Sequence, residues 1–599
     1  MAATNFLVNL LNRLQPAEPT LLLVLSVLIG LSTGLVVLVF RWLVELCQSI
    51  FWRSLSLWVL QIHPWAIALV PIIGGLIVGI LHQQTRKSES GFSQLSYAVA
   101  NEGGRLPYGQ IPLKSLAAAV SLGAGASLGP EGPSVELGSN IGSMSGQLLK
   151  FSSDRTRILV SAGGAAGLAA GFNAPLAGAF LAIEVLLNQS FRITKSRVDS
   201  NVSIIIVAAV VSALVAQIGM GSQPAFSLPV YELRSYAEMP FYLGLGVLAS
   251  ITSLLFKRLV AIAKQLTTNA NFIPPLAKIA IAGTCVGLVA LVLPEATGIG
   301  YATIESILQD SPFSISLLVI LLVTKITLTA ISAAGGFVGG TFAPAIFLGG
   351  VLGSAYGQIL GLVVPQLVSA PPAYALVGMA AVLAGTIRAP LTAVLLLFEM
   401  TRDYRIVLPL TAAVVLCVWL TEHWQRNERH PFSQSREFDP NLILEQIQVR
   451  EIMNPHPVQF AHTMPILPVA QILANSYIHS ALIVNDQQEL VGILTAQDIE
   501  TALTLPKEKL RQLNVSDICT TQVLTTYADE NLAIALHRMA PRDLQQLPVI
   551  DRQLKGKILG IIDRTSISNA YTNILTKQVI TEKIGMSIPP SVPVTVLEL

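Results

Sequence analysis

The stretch Ala117–Gly142, AAAVSLGAGASLGPEGPSVELGSNIG, decides the fold of this chain. It places Glu131 among small and apolar residues, where an ionisable group costs roughly 3 kcal/mol or more in a membrane, so a functional role is the default interpretation. The flanking Gly and Pro of Gly129-Pro-Glu-Gly-Pro133 let the backbone approach an ion and begin a helix. A helix start favours an anion, and a glutamate there can compete with it. The alternative is a helix-initiating turn that Glu131 merely caps.

The composition indicates that this stretch belongs to a membrane protein. Of 599 residues, 52% are hydrophobic and 12% are charged, which is half the ~25% usual in soluble proteins. The net charge of +2 gives no reason to expect nucleic acid as a partner. The four cysteines and eight histidines are scattered, so neither a disulfide framework nor a metal site is expected. No catalytic motif points to an enzyme.

Apolar segments fill the chain up to about residue 432, whereas residues 433–599 carry 30 of the 72 charged side chains. The long segments are Thr20–Phe40, Ala66–Leu81, Phe241–Phe256, Leu276–Leu293, Ser314–Ala330 and Ile406–Leu420. Others, such as Leu116–Leu128 and Leu376–Ala384, are too short to cross ~30 Å of hydrocarbon at 1.5 Å per residue. The sequence therefore predicts an α-helical polytopic membrane protein with broken helices.

An internal repeat supports this fold. The segment Gly171–Glu184, GFNAPLAGAFLAIE, is similar to Thr386–Glu399, TIRAPLTAVLLLFE, at an offset of 215 residues. Both contain Ala-Pro-Leu followed by a glutamate, and Gly163 and Gly378 fit the same offset. Duplicated halves are common in transporters, with the ion site at their interface, and we expect the two halves to form an inverted repeat of broken or tilted helices.

Two further segments are candidate anion sites. Gly339-Gly-Thr-Phe-Ala-Pro344 offers backbone amides before an apolar helix pattern, although it could equally be an ordinary Gly-rich break. Ser90-Gly-Phe-Ser93 offers hydroxyl donors, but Ser-Gly pairs usually mark turns.

This combination of segments resembles the CLC family of chloride channels and chloride/proton antiporters, followed by paired CBS modules. The resemblance implies that Glu131 is the gate, which alternates between blocking the pore and protonating. It implies further that Ser90 and the amides of Gly132, Thr341 and Phe342 bind chloride, with Ser433 at the position of the family's late tyrosine. Lys114 matches a basic residue near the pore, and Arg388 and Glu399 lie in a structural signature.

Some positions differ from the family's pattern. Pro130 replaces an arginine and removes an amide donor, and Glu89 and Ser93 replace the Gly and Pro around the serine. Ser433 lacks the reach of a tyrosine hydroxyl. The neighbouring Phe432 could take the tyrosine's place instead, although it has no hydroxyl. Ser90 is expected to favour chloride over nitrate, and Ser90 with Pro133 argues against the fluoride branch.

The proton pathway differs most. Antiporters of the family usually carry two adjacent glutamates where this chain has Glu184 and Val185, and valine cannot relay a proton. The Glu-Val pattern is typical of family channels and favours passive conduction. The alternative is an antiporter with the same gate, since some antiporters do without that residue and Glu184 could serve. Glu184 and Glu399 could instead make structural helix-end contacts.

The polar end of the chain contains a second duplication, in which Asn485–Asp498 is similar to Ile550–Asp563. Each copy reads as strand, turn, strand and helix, which predicts two small α/β modules. By resemblance to CBS modules, Thr495 and Asp498 would bind an adenine nucleotide (ATP, ADP or AMP), although the pair could be a dimerising scaffold without a ligand. No other cofactor is expected.

The expected partners are chloride, the lipid bilayer and a second copy of the chain. The protein is expected to be a multi-pass membrane protein with its CBS pair in the cytoplasm. The predicted organisation is an amphipathic segment at 1–18, a membrane domain at 19–432 with repeat halves at about 19–225 and 238–432, a linker at 433–447, CBS modules at 448–505 and 514–572, and a tail at 573–599.

Overall fold

The structure is a computed structural model. It describes residues 18–55, 63–84, 92–101, 103–149, 151–187, 198–221, 236–270, 272–309, 313–427, 444–475, 480–503, 507–510, 512–539, 544–554 and 556–570. The chain divides into two compact units, Met1–Arg429 and His430–Leu599. The candidate residues Ser90 and Ser433 lie outside the described residues, as does the tail at 573–599.

The described part of the first unit is helical, as the apolar segments predict. Eight of its helices are long and apolar enough to cross a membrane, and shorter apolar helices lie among them. The helices are α1 (Glu18–Ser49), α2 (Leu69–Gln84), α3 (Phe92–Asn101), α4 (Ile111–Gly123), α5 (Glu131–Leu148), α6 (Ser153–Phe172), α7 (Pro175–Leu181, continued by a π-helical turn, Ala182–Leu187), α8 (Val198–Met220), α9 (Met239–Asn269), α10 (Pro275–Val292), α11 (Tyr301–Leu308), α12 (Ile315–Gly335), α13 (Phe342–Val363), α14 (Pro371–Ile387), α15 (Pro390–Thr401) and α16 (Val407–Asn427).

The sequence repeat corresponds to a structural one, in which α5, α6 and α7 match α13, α14 and α15. The helices α6 and α14 both end on a residue in the left-handed region, Asn173 (φ 55°) and Arg388 (φ 58°), at the 215-residue offset. In each case Ala-Pro follows and begins the next short helix. The prediction of a duplicated α-helical membrane fold with broken helices is confirmed.

Glycine lets the first two helices of each repeat pack at backbone contact. A Cβ at Gly163 of α6 would lie 2.0 Å from the carbonyl oxygen of Gly138 in α5. The matching position in the second repeat, Gly378 of α14, would place a Cβ 2.2 Å from the carbonyl oxygen of Gly349 in α13. Since lipid gives no hydrophobic drive between helices, such close packing is a main source of their association. The α5–α6 and α13–α14 contacts hold the starts of α5 and α13 in place.

The second unit contains two similar three-stranded sheets. In the first, β1 (Gln459–Ala461) pairs parallel with β2 (Ser480–Val484), which pairs antiparallel with β3 (Leu490–Thr495). The second repeats this order with β4 (Thr526–Tyr527), β5 (Gln546–Ile550) and β6 (Ile558–Asp563). The helices are α17 (Val449–Ile452), α18 (Ile466–Asn475), α19 (Ala496–Leu503), α20 (Lys507–Leu510) and α21 (Leu532–Met539).

Each module of the second unit packs against the segment that precedes the other. The Val449 N–H donates to the carbonyl of Glu530 (2.9 Å), and the Leu532 N–H donates to that of Ile447 (3.0 Å). Conversely, the Val515 N–H donates to the carbonyl of Met464 (2.9 Å). The two α/β modules therefore form one body.

We expect Gly163→Ala and Gly378→Ala to destabilise the membrane unit, because the added methyl group cannot fit between touching backbones. Overpacking of this kind costs about 1–3 kcal/mol. Gly361→Ala in α13 is the matched control, since its Cβ would have no heavy atom within 4 Å. Thermal unfolding of the purified protein in detergent measures the effect. Equal midpoints for the three variants would contradict the packing argument.

Candidate anion site

The two glycine-rich candidate segments lie side by side in the structure. The Gly129 N–H donates to the carbonyl of Gly340 (2.8 Å), and the Gly340 N–H donates to that of Gly129 (2.7 Å). These two hydrogen bonds join the segments Gly129–Gly132 and Gly339–Phe342, which we call the paired loops. Gly129 and Gly340 are 211 residues apart in the sequence, and these backbone hydrogen bonds hold their two segments together.

Each of the paired loops leads directly into a helix. Helix α5 begins at Glu131 after Pro130, and α13 begins at Phe342 after Thr341. A Cβ at Gly132 would lie 3.0 Å from the Cα of Gly340, so only glycine lets the two helix starts come this close. The first amides of a helix have no carbonyl partner within it and carry the positive end of its dipole. The paired loops therefore bring two positive helix ends together in an apolar surrounding.

The Glu131 side chain lies at this meeting point and is only 2% exposed. Its Oε1 accepts a hydrogen bond of 2.5 Å from the hydroxyl of Tyr301. Its Oε2 lies against the Cα of Gly129, beside Ala343 in the first turn of α13, and has no hydrogen-bond partner among the described residues. A carboxylate in this place occupies the position that the helix starts offer to an anion.

Tyr301 also belongs to the candidate site, although the sequence does not predict it there. It is the first residue of α11 and follows Gly300, whose φ of 90° favours glycine. A Cβ at Gly300 would also come within 2.6 Å of the Phe347 ring. The pattern Gly298-Ile-Gly300 before an aromatic residue is the one local signal that could have drawn attention to it.

A buried lysine fixes the loop that carries Tyr301. The Lys325 side chain, in α12, is fully buried, and its Nζ donates to the carbonyls of Ala296 (3.1 Å) and Gly298 (2.7 Å). The ammonium also lies 4.6 Å from the centroid of the Phe347 ring. On the other side of this loop, the Gly298 N–H donates to the carbonyl of Gly125, just before the first of the paired loops. Carbonyl dipoles and an aromatic face thus stabilise the buried charge.

Glu184 and Glu399 bind the helix starts of each other's repeat. The Glu399 carboxylate accepts hydrogen bonds from the amides of Leu176 (2.9 Å) and Ala177 (2.8 Å) at the start of α7. The Glu184 carboxylate accepts bonds from the amides of Leu391 (2.9 Å) and Thr392 (2.8 Å) at the start of α15. The Thr392 hydroxyl adds a third bond to Glu184, of 2.6 Å. Both glutamates therefore make helix-end contacts that tie the two repeats together.

The residue beside Glu184 contributes no polar side chain. The Ser96 hydroxyl, in α3, donates to the backbone carbonyl of Val185 (3.1 Å). The structure thus places a hydroxyl near this position, but the valine side chain itself cannot exchange a proton.

A cavity of about 180 Å³ lies between α3, α4 and the first turns of α5. Lys114 and Glu136 both line it and form an ion pair of 3.0 Å. Glu136 follows Glu131 on α5 by five residues, about one and a half helical turns. Glu136 is the ionisable residue nearest to Glu131 in the sequence, and its side chain lines the cavity.

The candidate nucleotide residues Thr495 and Asp498 hydrogen-bond to each other at the end of β3. The Asp498 carboxylate accepts bonds from the amide (2.8 Å) and hydroxyl (2.7 Å) of Thr495. In the second module the acid comes first in the sequence and the hydroxyl three residues later. There the Asp563 carboxylate accepts hydrogen bonds from the amide (2.6 Å) and hydroxyl (3.0 Å) of Ser566. Within the described part of the chain, no group of three or more His, Cys, Asp or Glu side chains could hold a metal ion.

Comparison with known proteins gives consistent matches. The family model "Voltage gated chloride channel" matches residues 74–422, and the model "CBS domain" matches residues 449–504 and 515–573. The chain is 33% identical to "Chloride channel protein CLC-e" of Arabidopsis thaliana, over 94% of this chain and 89% of the relative. It is 32% identical to "H(+)/Cl(-) exchange transporter ClcA" of Vibrio vulnificus, over 67% of this chain and 87% of the relative.

Solved structures match over the same regions. One is described as a slow cyanobacterial Cl⁻/H⁺ antiporter, with a TM-score of 0.61 and 28% identity over 67% of this chain and 94% of that one. A second is a eukaryotic CLC transporter, with a TM-score of 0.61 over 92% of this chain and 99% of that one. The second is only 19% identical, so it shows the fold alone.

We expect Glu184→Gln and Glu399→Gln to lower the thermal stability of the membrane unit. Each change replaces a carboxylate that accepts from two amides at a helix start, and losing such a cap costs about 0.5–2 kcal/mol. Glu422→Gln is the matched control, since Glu422 is exposed on α16. The measurement is the unfolding midpoint in detergent. An unchanged midpoint for Glu184→Gln would contradict a helix-end role for this glutamate.

Proposed function

This chain belongs to the voltage-gated chloride channel family, and we propose that it conducts chloride passively through a pathway that Glu131 gates. Family membership makes it a multi-pass membrane protein for chloride transport, with its CBS region on the cytoplasmic side. The observation that carries the proposal is the buried Glu131 carboxylate at the meeting point of two helix starts.

The gate works by competition between two anions for one position. In the closed state the Glu131 carboxylate lies beside Gly129 and the first turn of α13, with its Oε1 bonded to Tyr301. A chloride ion at this position would meet the amides of Gly132, Thr341 and Phe342, which the family resemblance assigns to anion binding. Chloride occupancy therefore requires the carboxylate to leave, and protonation makes this easier because a neutral carboxyl no longer competes as an anion.

The lack of an ionisable side chain at position 185 favours passive conduction. Coupled exchange needs a second group that carries protons between Glu131 and one side of the membrane. At that position this chain has valine, and the neighbouring Glu184 carboxylate is already bonded to three donors of α15. Glu184 would have to give up these hydrogen bonds to take a proton.

We expect chloride flux to rise as the pH falls, because protonation of Glu131 removes the competing charge. Glu131→Gln cannot ionise, so its flux should be high and independent of pH between about 5 and 8. Proteoliposomes that contain the full chain, with a chloride electrode outside, measure this. Glu305→Gln, an exposed glutamate of α11, serves as the control that should keep the pH dependence. A Glu131→Gln variant with the parent's pH profile would overturn the gate.

The second candidate function is chloride/proton exchange, and one structural feature favours it. Glu136 lies on the same helix as Glu131 and lines the cavity together with Lys114. A carboxylate in a cavity could carry protons in place of the glutamate that Val185 replaces. Two of the similar proteins are also described as an exchange transporter and an antiporter.

Simultaneous chloride and proton recordings from proteoliposomes distinguish the two functions. For passive conduction, we expect a chloride gradient to drive no proton movement beyond that of protein-free vesicles. Proton uptake against a gradient would instead establish exchange. In that case Glu136→Gln should abolish proton movement while chloride flux persists, whereas Glu305→Gln should leave both unchanged.

Two further parts of the proposal rest on the family alone. We propose that the chain forms a homodimer, which the mass of the purified protein in detergent would check. We also propose that the CBS pair binds an adenine nucleotide near Thr495 and Asp498. Equilibrium binding of ATP to the full chain would check this, and its absence would favour a scaffold role.

A further inference from the structure

We propose that the Tyr301 hydroxyl donates a hydrogen bond to the transported anion as well as to the Glu131 carboxylate. In this inference, which rests on the proposed function, the hydroxyl donates to Glu131 when the pathway is closed. It donates to a chloride ion when the carboxylate has left. Tyr301 thus belongs to the anion-binding site at the paired loops.

Tyr301 contacts the carboxylate of the gate directly. The hydroxyl of Tyr301 lies 2.5 Å from Oε1 of Glu131, and the other carboxylate oxygen has no hydrogen-bond partner among the described residues. Tyr301 is thus the side-chain donor for a carboxylate that is only 2% exposed. A carboxylate oxygen and a chloride ion are both anionic acceptors, so a donor that suits the first also suits the second.

The loop before Tyr301 is held in place, which limits how far the hydroxyl can follow Glu131 or turn away from the site. Tyr301 is the first residue of α11, and the loop before it is held by backbone contacts on two sides. Lys325 binds the carbonyls of Ala296 and Gly298, while the Gly298 amide bonds to Gly125 beside the paired loops. The Tyr301 ring also packs against the hydrophobic core. With its backbone anchored and its ring packed, the hydroxyl is positioned to stay at the site when the Glu131 side chain moves.

Once the carboxylate has gone, the position beside the hydroxyl is open to another anion. The helix starts nearby are positive and attract one. A chloride ion at the former position of Oε1 would accept the hydroxyl hydrogen. The contact that stabilises the closed gate then becomes a contact that stabilises the bound ion.

Chloride binding to the full chain in detergent, measured by isothermal titration calorimetry, tests the proposal. The starting variant is E131A, in which no carboxylate competes for the position. We expect E131A/Y301F to bind chloride about tenfold more weakly than E131A, as for the loss of one hydrogen bond to a charged group. The control is E131A/Y356F, because the Tyr356 hydroxyl donates to the carbonyl of Phe241 elsewhere in the domain (3.0 Å). Its affinity should equal that of E131A.

A second variant retains the hydroxyl and strengthens it as a donor, so it should tighten chloride binding where Y301F weakens it. With 3-fluorotyrosine at position 301 of E131A, the hydroxyl is a stronger donor, and chloride should bind more tightly than to E131A. Equal affinities of E131A, E131A/Y301F and the fluorinated protein would overturn this inference alone. Failure of E131A to bind chloride would instead count against the anion site at the paired loops, and so against the proposed function.

Discussion

The structure depends on the burial of one carboxylate, Glu131, between the starts of two helices. An ionisable group in an apolar membrane domain is tolerated only where protein dipoles replace water. Here the dipoles come from α5 and α13, whose first residues are fixed by the two backbone hydrogen bonds between Gly129 and Gly340. An environment that accepts a carboxylate also suits a halide ion, and the proposed gate and the proposed anion site both follow from this one constraint.

The duplicated architecture meets this constraint. Helix starts can converge only if the helices behind them are held rigidly, and in both repeats glycine brings the first two helices into backbone contact. Glu184 and Glu399 each accept hydrogen bonds from a helix start in the other repeat, which fixes two more helix starts. Glu184 and Glu399 thus cap helix starts, whereas Glu131, in the proposed function, occupies a position that a mobile anion can take.

The helix start at Glu131 and the duplication could be predicted from the sequence, because each depends on residues that are close together in the chain. Gly and Pro around Glu131 predict a helix start, and the repeated Ala-Pro-Leu with its glutamate predicts the duplication. Tyr301 was not predictable in the same way, since it is uncharged and lies 170 residues from its partner along the chain. Lys325 could have been found, because the argument that singled out Glu131 applies equally to a lone lysine within the apolar segment Ser314–Ala330. Its partners, however, are backbone carbonyls, which no residue pattern reveals.

Anomalous diffraction from crystals of the Glu131→Ala variant grown in bromide would test the central claim most directly. Bromide replaces chloride and can be located by its own signal. The account predicts a bromide peak at the position of the missing carboxylate, within hydrogen-bond distance of the Gly132 amide. It also predicts that the peak is absent in crystals of the parent protein, where Glu131 fills the position. Ordered paired loops without a bromide peak in the variant would contradict it.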